Sequence, residues 1–182
     1  MPTTHPTPKL SSSARPMARR GPDAVLLIAA LLANGLMAGV WFAYSTSVMS
    51  ALRRADDRTF ISVMQDINET IQNPAFFLAL FGALVLPAVL AWRVRQRRRL
   101  LGWVLAGLLL YVAVFAVTSG ASVPLNDRLA AAGDPGRITD PSAVRAGFED
   151  PWVTWNLVRC LLNVAAVVCL GRALVLLGRR PS

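Results

Sequence analysis

Four runs of apolar residues decide what this chain can become: Ala24 to Ala43, Ala75 to Trp92, Leu100 to Thr118 and Trp155 to Leu177. At 1.5 Å per residue each reaches, or nearly reaches, across roughly 30 Å of hydrocarbon. None alternates with a period of two, which argues against a transmembrane barrel. A soluble domain carries about 25% charged residues; this chain has 16%. The expectation is an all-α integral membrane protein. It is a four-helix bundle over 23–180 with spans at about 24–45, 74–93, 100–119 and 154–177, and short amphipathic helices capping its extracytoplasmic end.

The net charge of +9 invites a nucleic-acid reading, but its distribution is that of a topology signal. Lys9, Arg15, Arg19 and Arg20 precede the first run, Arg93 to Arg99 holds five arginines, and Arg172, Arg179 and Arg180 lie at the end. The two long connections hold Arg53, Arg54, Arg58, Arg128, Arg137 and Arg145 with nine of the ten acids. The positive-inside rule then places both termini in the cytoplasm and both long connections outside. The partner expected is the lipid bilayer of the plasma membrane, with no nucleic acid. The Arg-over-Lys bias (18 to 1) suggests a GC-rich, bacterial genome.

Residues 1–22, rich in Pro, Ser, Thr and Arg, read as a disordered basic cytoplasmic tail, with Met17 an alternative start. The first apolar run is too long for a secretory signal core. Asp23 is a plausible N-cap. Gly35 and Gly39 form a Gly-x-x-x-Gly pair suited to close helix approach. Trp41 and Tyr44 fall at an outer aromatic belt, and Trp92 and Trp103 at the inner one. Phe60, Met64, Ile67 and Ile71 form one stripe, so the first outer connection predicts an amphipathic helix capped by Asp56 or Asp57. In the second, Asp140-Pro141 opens a short helix to about Phe148. Cys160 and Cys169, nine residues apart on one helix, cannot pair.

Polar residues inside a span carry the functional signal. Asn156, Arg159 and Asn163 share one face of the fourth helix, with Trp152 leading into it; Asn34, Trp41 and Ser45 share a face of the first. Asn34 and Asn163 lie at matching depth, about 12–13 Å below the outer ends of their spans, so they are expected to hydrogen-bond across the bundle. Arg159 falls near Trp41 and Tyr44, where cation–π contact is available. With Asn68, Asn73, Asn126, Asp127 and Arg128 from the outer connections, these residues predict a polar pocket at the outer mouth. Simpler readings stand beside it. Arg159 snorkels to the headgroups, Asn34 and Asn163 are interhelical glue, and Trp152 and Trp155 are belt residues. Asp127 with Arg128, or Asp150 with Arg145, are solvated pairs.

The sole histidine, His5, lies in the tail, and there is no Cys-x-x-Cys, phosphate loop or metal-ligand spacing. Neither metal nor cofactor is expected. Any base must be a loop carboxylate: Asp127, Asp66, Glu149 or Asp150.

Four segments resemble the anthrone oxygenase-like membrane family: Gly39-Val-Trp-Phe-Ala-Tyr-Ser-Thr-Ser-Val-Met-Ser-Ala-Leu52, Met64-Gln-Asp-Ile-Asn68 through Asn73-Pro74, Val123-Pro-Leu-Asn126, and Pro151-Trp-Val-Thr-Trp-Asn-Leu-Val-Arg159. The resemblance runs from about residue 25 to 178. It implies a four-span bundle and, as in the fungal members, oxidation of an anthrone to an anthraquinone by dioxygen without a cofactor. The matching motif residues are Asn68, Asn126, Trp152, Trp155, Asn156 and Arg159. On this reading Arg159 and Asn156 hold a phenolate oxygen, Asp127 takes the proton, and Trp152 and Trp155 stack on the rings, with Trp41 and Tyr44 completing the wall. The chain departs from the family pattern at Ser50, Ser122 and Leu157-Val-Arg-Cys160, where members often carry Pro, Asn and His-Val-Arg-Thr. Two functions follow: an oxygenase-like enzyme acting on an apolar aromatic small molecule, or a non-catalytic protein binding a lipid or partner at its outer mouth.

Overall fold

The computed structural model describes residues 20–178. The tail expected over 1–22 falls almost entirely outside that range, as do His5, Met17, Arg179 and Arg180. Four helices in it are long and apolar enough to cross a membrane: Gly21–Leu52, Pro74–Arg93, Arg98–Ala131 and Pro141–Gly178. In finer detail α1 is Arg20–Ala43, α2 Met49–Leu52, α3 Asp57–Thr70, α4 Pro74–Arg93, α5 Arg98–Val117, α6 Val123–Ala131 and α7 Pro141–Gly178. Neighbours in space run α1, α4, α5, α7 and back to α1. Each span reverses the last, giving an up-down-up-down bundle. The chain is an all-α, multi-pass membrane protein.

Three spans run on past the apolar stretches. Two do so through wide π-helical turns, Tyr44–Val48 between α1 and α2 and Thr118–Ser122 between α5 and α6. In each the backbone bond reaches back five residues, from Met49 N–H to Tyr44 O and from Val123 N–H to Thr118 O. Such turns absorb an extra residue without breaking the helix. The fourth span begins far earlier than its apolar run because α7 passes through Pro151 without ending. Proline removes its own N–H and leaves one carbonyl, that of Gly147, without its ladder donor, which a long, otherwise intact helix tolerates. The short helix expected to close near Phe148 is thus the first part of the last span.

The helix ends follow local chemistry. Asp56 caps α3 by accepting from the Arg58 and Thr59 amides. The Thr59 hydroxyl, bonded to the same carboxyl at 2.6 Å, holds it below the ordinary carboxylate range. Asn73 accepts from Phe76 N–H ahead of Pro74, and Asp140 from Ala143 N–H ahead of Pro141. Asp23 is not a cap. The helix already begins at Arg20, and the Asp23 carboxylate turns inward to meet Arg93 Nε at 2.8 Å and Arg97 Nη1 at 3.8 Å. Only 6% of its side chain is exposed, against 34% and 43% for the two arginines. Partial exposure of the cations weakens the pair, so Asp23→Asn is expected to cost about 1–2 kcal/mol, read as a lower midpoint in detergent unfolding.

The core forms three tiers. Leu27, Ala30, Leu90, Val104 and Leu170 fill the inner end. Met37, Leu80, Ala83, Tyr111 and Cys160 fill the middle. Met49, Phe60, Ile61, Met64, Leu129 and Phe148 fill the outer end, where the apolar face of α3 closes the bundle. Gly107 lets α5 and α7 approach: a Cβ there would stand 3.0 Å from Leu170 Cγ. Gly35 and Gly39 do no such work inside the chain. Both are exposed on the outer face of α1, and a Cβ on either meets nothing within 4 Å.

Candidate functional site

Trp152, Asn156, Arg159 and Asn163 follow one another at i, i+4, i+7 and i+11 on α7, and all four are buried. Arg159 is 3% exposed, so it faces the bundle and does not snorkel. Its guanidinium carbon sits 4.0 Å from the Trp41 ring centroid and 5.5 Å from that of Trp152. Arginine at mid-helix in a membrane costs about 2.5–3.5 kcal/mol. Two desolvated ring contacts at roughly 1–2 kcal/mol each offset most of that. Its one hydrogen bond among the described residues runs from Nη2 to Asn156 Oδ1, 3.2 Å, and none of their carboxylates pairs with it.

Asn156 is committed to holding this arrangement. Its amide donates to the Trp41 carbonyl at 2.9 Å and to Ser45 Oγ at 2.8 Å, at the start of the first wide turn. Both ends of the side chain are used, and Asn156 does not line the cavity described next. It positions Arg159 and Trp41.

The cavity, of about 210 Å³, lies at the outer end between α1, α4, α7 and the second wide turn. Trp41, Tyr44, Trp152, Phe76 and Arg159 form its inner wall, and Asn68, Ser122, Asn126 and Asp127 its polar rim. Trp152 is set by its indole N–H, which donates to Asn126 Oδ1 at 3.0 Å, and by Tyr44, whose ring centroid lies 5.3 Å away. Asn68, Gln72, Asn126 and Asp127 also line a groove of about 480 Å³ outside, so the two spaces adjoin. Asp127 is exposed and stands at that junction.

Several expectations fail here. Trp155 is 40% exposed and absent from the cavity wall: one residue before Asn156 is 100° around the helix, which turns it outward. Asn34 does not bond Asn163. Pro87 lacks an N–H, which leaves the Ala83 carbonyl without a ladder donor, and Asn34 Nδ2 fills that place at 3.2 Å while also donating to Ala30 O at 2.9 Å. Both polar atoms of Asn163 have no partner among the described residues. A buried, unpaired amide costs about 1–3 kcal/mol, so Asn163→Leu is expected to raise the unfolding midpoint in detergent. Glu149 and Asp150 also leave the site. Glu149 is held by Arg53 Nε at 2.8 Å and Arg145 Nε at 2.7 Å, and Asp150 lies 3.7 Å from Arg53. Asp66 lines only the outer groove.

Sequence reasoning missed Phe76, Leu80 and Ile71 as wall residues and Phe77 at the cavity's half-exposed, lipid-facing edge, since nothing separates them from ordinary apolar filler. It also missed Ser122, 1% exposed with its hydroxyl unpartnered. Leu157, the departure from the family's histidine, is 49% exposed on the lipid side. A histidine there would project away from the cavity, so Leu157 removes no group from it.

Fold and site together define a multi-pass helical membrane protein with an aromatic-walled cavity and a buried arginine near the end that α3 caps. The anthrone oxygenase family model matches residues 64–169, from mid-α3 through most of α7, and the chain belongs to that family. No curated protein and no solved structure matches it.

Proposed function

We propose that the cavity binds a flat phenolic of the polyketide type and that the protein oxidises it with dioxygen. One observation carries this reading. Among the described residues, buried side-chain atoms without a partner include Trp41 Nε1, Asn68 Nδ2, Arg159 Nε and Ser122 Oγ, and all four residues line the one cavity. Three of these atoms are donors only and the fourth is a hydroxyl able to donate. Leaving a buried donor unpaired costs about 1–3 kcal/mol, so a cluster beside an uncompensated guanidinium suits a guest with an anionic or carbonyl oxygen.

An anthrone meets that requirement. Loss of a proton from its central methylene gives a carbanion whose charge rests on the phenolate oxygen. Arg159 Nε and its neighbouring donors hold that oxygen, while Trp152, Tyr44 and Trp41 flank the rings. Asp127 at the mouth takes the proton. Dioxygen then adds at the central carbon, Asp127 returns the proton to the peroxide anion to give a hydroperoxide, and loss of water leaves the second carbonyl. One dioxygen is consumed, one oxygen atom enters the quinone and the other leaves as water.

The test is purified protein with emodin anthrone under air, followed by quinone absorbance. The expected result is a rate above buffer that falls in Asp127→Asn while the guest still binds. A rate equal to buffer would sink the catalytic reading. Binding without turnover would leave the second function, a protein that holds its guest at the outer mouth. We also place the mouth outside the plasma membrane with both termini in the cytoplasm, on the arginine asymmetry. A reporter active only outside the cell, fused after Ser182, should stay inactive.

A further inference from the structure

The cavity has buried residues along its inner wall, a polar mouth toward the outer groove and, on one side, residues that face lipid. Trp41, Trp152, Arg159 and Ser122 are at most 4% exposed, whereas Phe77 on α4 and Val123 at the start of α6 are 38% and 43% exposed. A file of touching rings leads in from that side. Phe115 lies 6.0 Å from Phe81, Phe81 stacks on Phe77 at 6.2 Å, Phe77 meets Phe76 at 5.8 Å, and Phe76 meets Trp41 edge-on at 6.4 Å. Trp41 then carries the Arg159 guanidinium at 4.0 Å. Phe81 is 48% exposed, so the file begins at the lipid surface and ends at the cavity's charge.

The watery side has the opposite character. The outer groove is lined by Asp66, Glu69, Asp127 and Asp134. Four carboxylates there disfavour an anionic guest arriving from solution, and an apolar one has little reason to be in solution at all. A neutral phenolic dissolves in the hydrocarbon and meets the ring file directly.

We propose that the cavity is reached sideways from the bilayer, between α4 and the α5–α6 helix, with Phe77 as the door and a flat aromatic molecule dissolved in lipid as the guest. Only the identity of that guest rests on the function proposed above. Phe77 is a gating residue, so it sets how fast the guest passes in both directions and leaves the equilibrium unchanged.

The experiment uses the full chain in lipid nanodiscs and emodin, a planar anthraquinone, followed by stopped-flow quenching of tryptophan fluorescence. Trp41 and Trp152 line the cavity and report occupancy. Arg159→Met supplies the blank for quenching of the outward-facing Trp92, Trp103 and Trp155. Phe77→Ala is expected to raise association and dissociation rates by the same factor, on the order of tenfold, with Kd unchanged. Gln72→Phe, which narrows the watery mouth, is expected to alter neither rate. Slower association in Gln72→Phe with no effect of Phe77→Ala would overturn the lateral route. A changed Kd in Phe77→Ala would make Phe77 a wall of the site and overturn the door.

If emodin gives no Arg159-dependent signal, the guest proposed above is wrong, and the door is read without it. In a Trp92→Phe, Trp103→Phe, Trp155→Phe background, phospholipids brominated along the acyl chain should quench the remaining tryptophans more strongly once Phe77→Ala opens the side. No increase would overturn the proposal.

Discussion

Arg159→Met is expected to abolish turnover of an anthrone and to weaken binding of its quinone by at least a hundredfold, while the bundle remains folded. The sulfur side chain fills much of the same volume but carries neither the charge nor the donors. A charge-assisted hydrogen bond contributes about 1.5–3 kcal/mol, and two cation–π contacts depend on the same group. Loss of 2.7 kcal/mol already corresponds to about a hundredfold in affinity. The fold should not suffer, because a buried ion exchanged for an apolar side chain of similar size is often neutral or stabilising. Tryptophan quenching by emodin gives the affinity, and detergent unfolding gives the stability. Unchanged binding with lowered stability would make Arg159 a structural group and remove the functional reading of the cavity.

Arg145→Ala is expected to cost the most stability of any single exposed-end substitution, about 3–5 kcal/mol. This arginine ties the outer cap to the bundle. It bonds Glu149 at 2.7 Å and Asp57 at 3.0 Å, and donates to the carbonyls of Ala55 and Arg53 at 2.9 and 3.2 Å. Its guanidinium also lies 4.5 Å from the Phe60 ring centroid. Both Arg145 and Glu149 side chains are near 10% exposed, so removal leaves a largely buried carboxylate with only Arg53, itself half exposed, as partner. A drop in unfolding midpoint together with faster amide exchange in α3 would show it. Arg145→Lys should recover little, since one ammonium cannot span four acceptors on different elements.

The spans, the reversal of direction and the amphipathic α3 were legible because each rests on a single periodic signal. Asn156, Arg159 and Trp152 were legible as one face for the same reason. What failed were several inferences about partners across space, although Arg159 does lie over Trp41 as expected. Asn34 and Asn163 match in depth, yet a proline on α4 claimed Asn34 first, and no helical wheel of α1 contains Pro87. Trp155 failed through angle alone: a motif written as Trp-Val-Thr-Trp-Asn hides that its second tryptophan points to lipid. Arg145 looked like a solvated loop residue because the helix opening at Asp140-Pro141 was expected to close near Phe148, apart from the last span. Once the helix runs through, the residue is partly buried against α3, over the Phe60 ring. The wide turns had no signal in composition, although both frame the cavity, where they carry Tyr44 and Ser122.

The bond from Asn34 to the Ala83 carbonyl bears on the order in which the protein assembles. A carbonyl without a donor in hydrocarbon costs several kcal/mol, so α4 inserted alone is incomplete at Pro87. It becomes complete when α1 lies beside it and supplies the amide. A hairpin of α1 and α4, made before α5 and α7, can therefore satisfy this carbonyl by itself. The second pair is then built against a surface already finished.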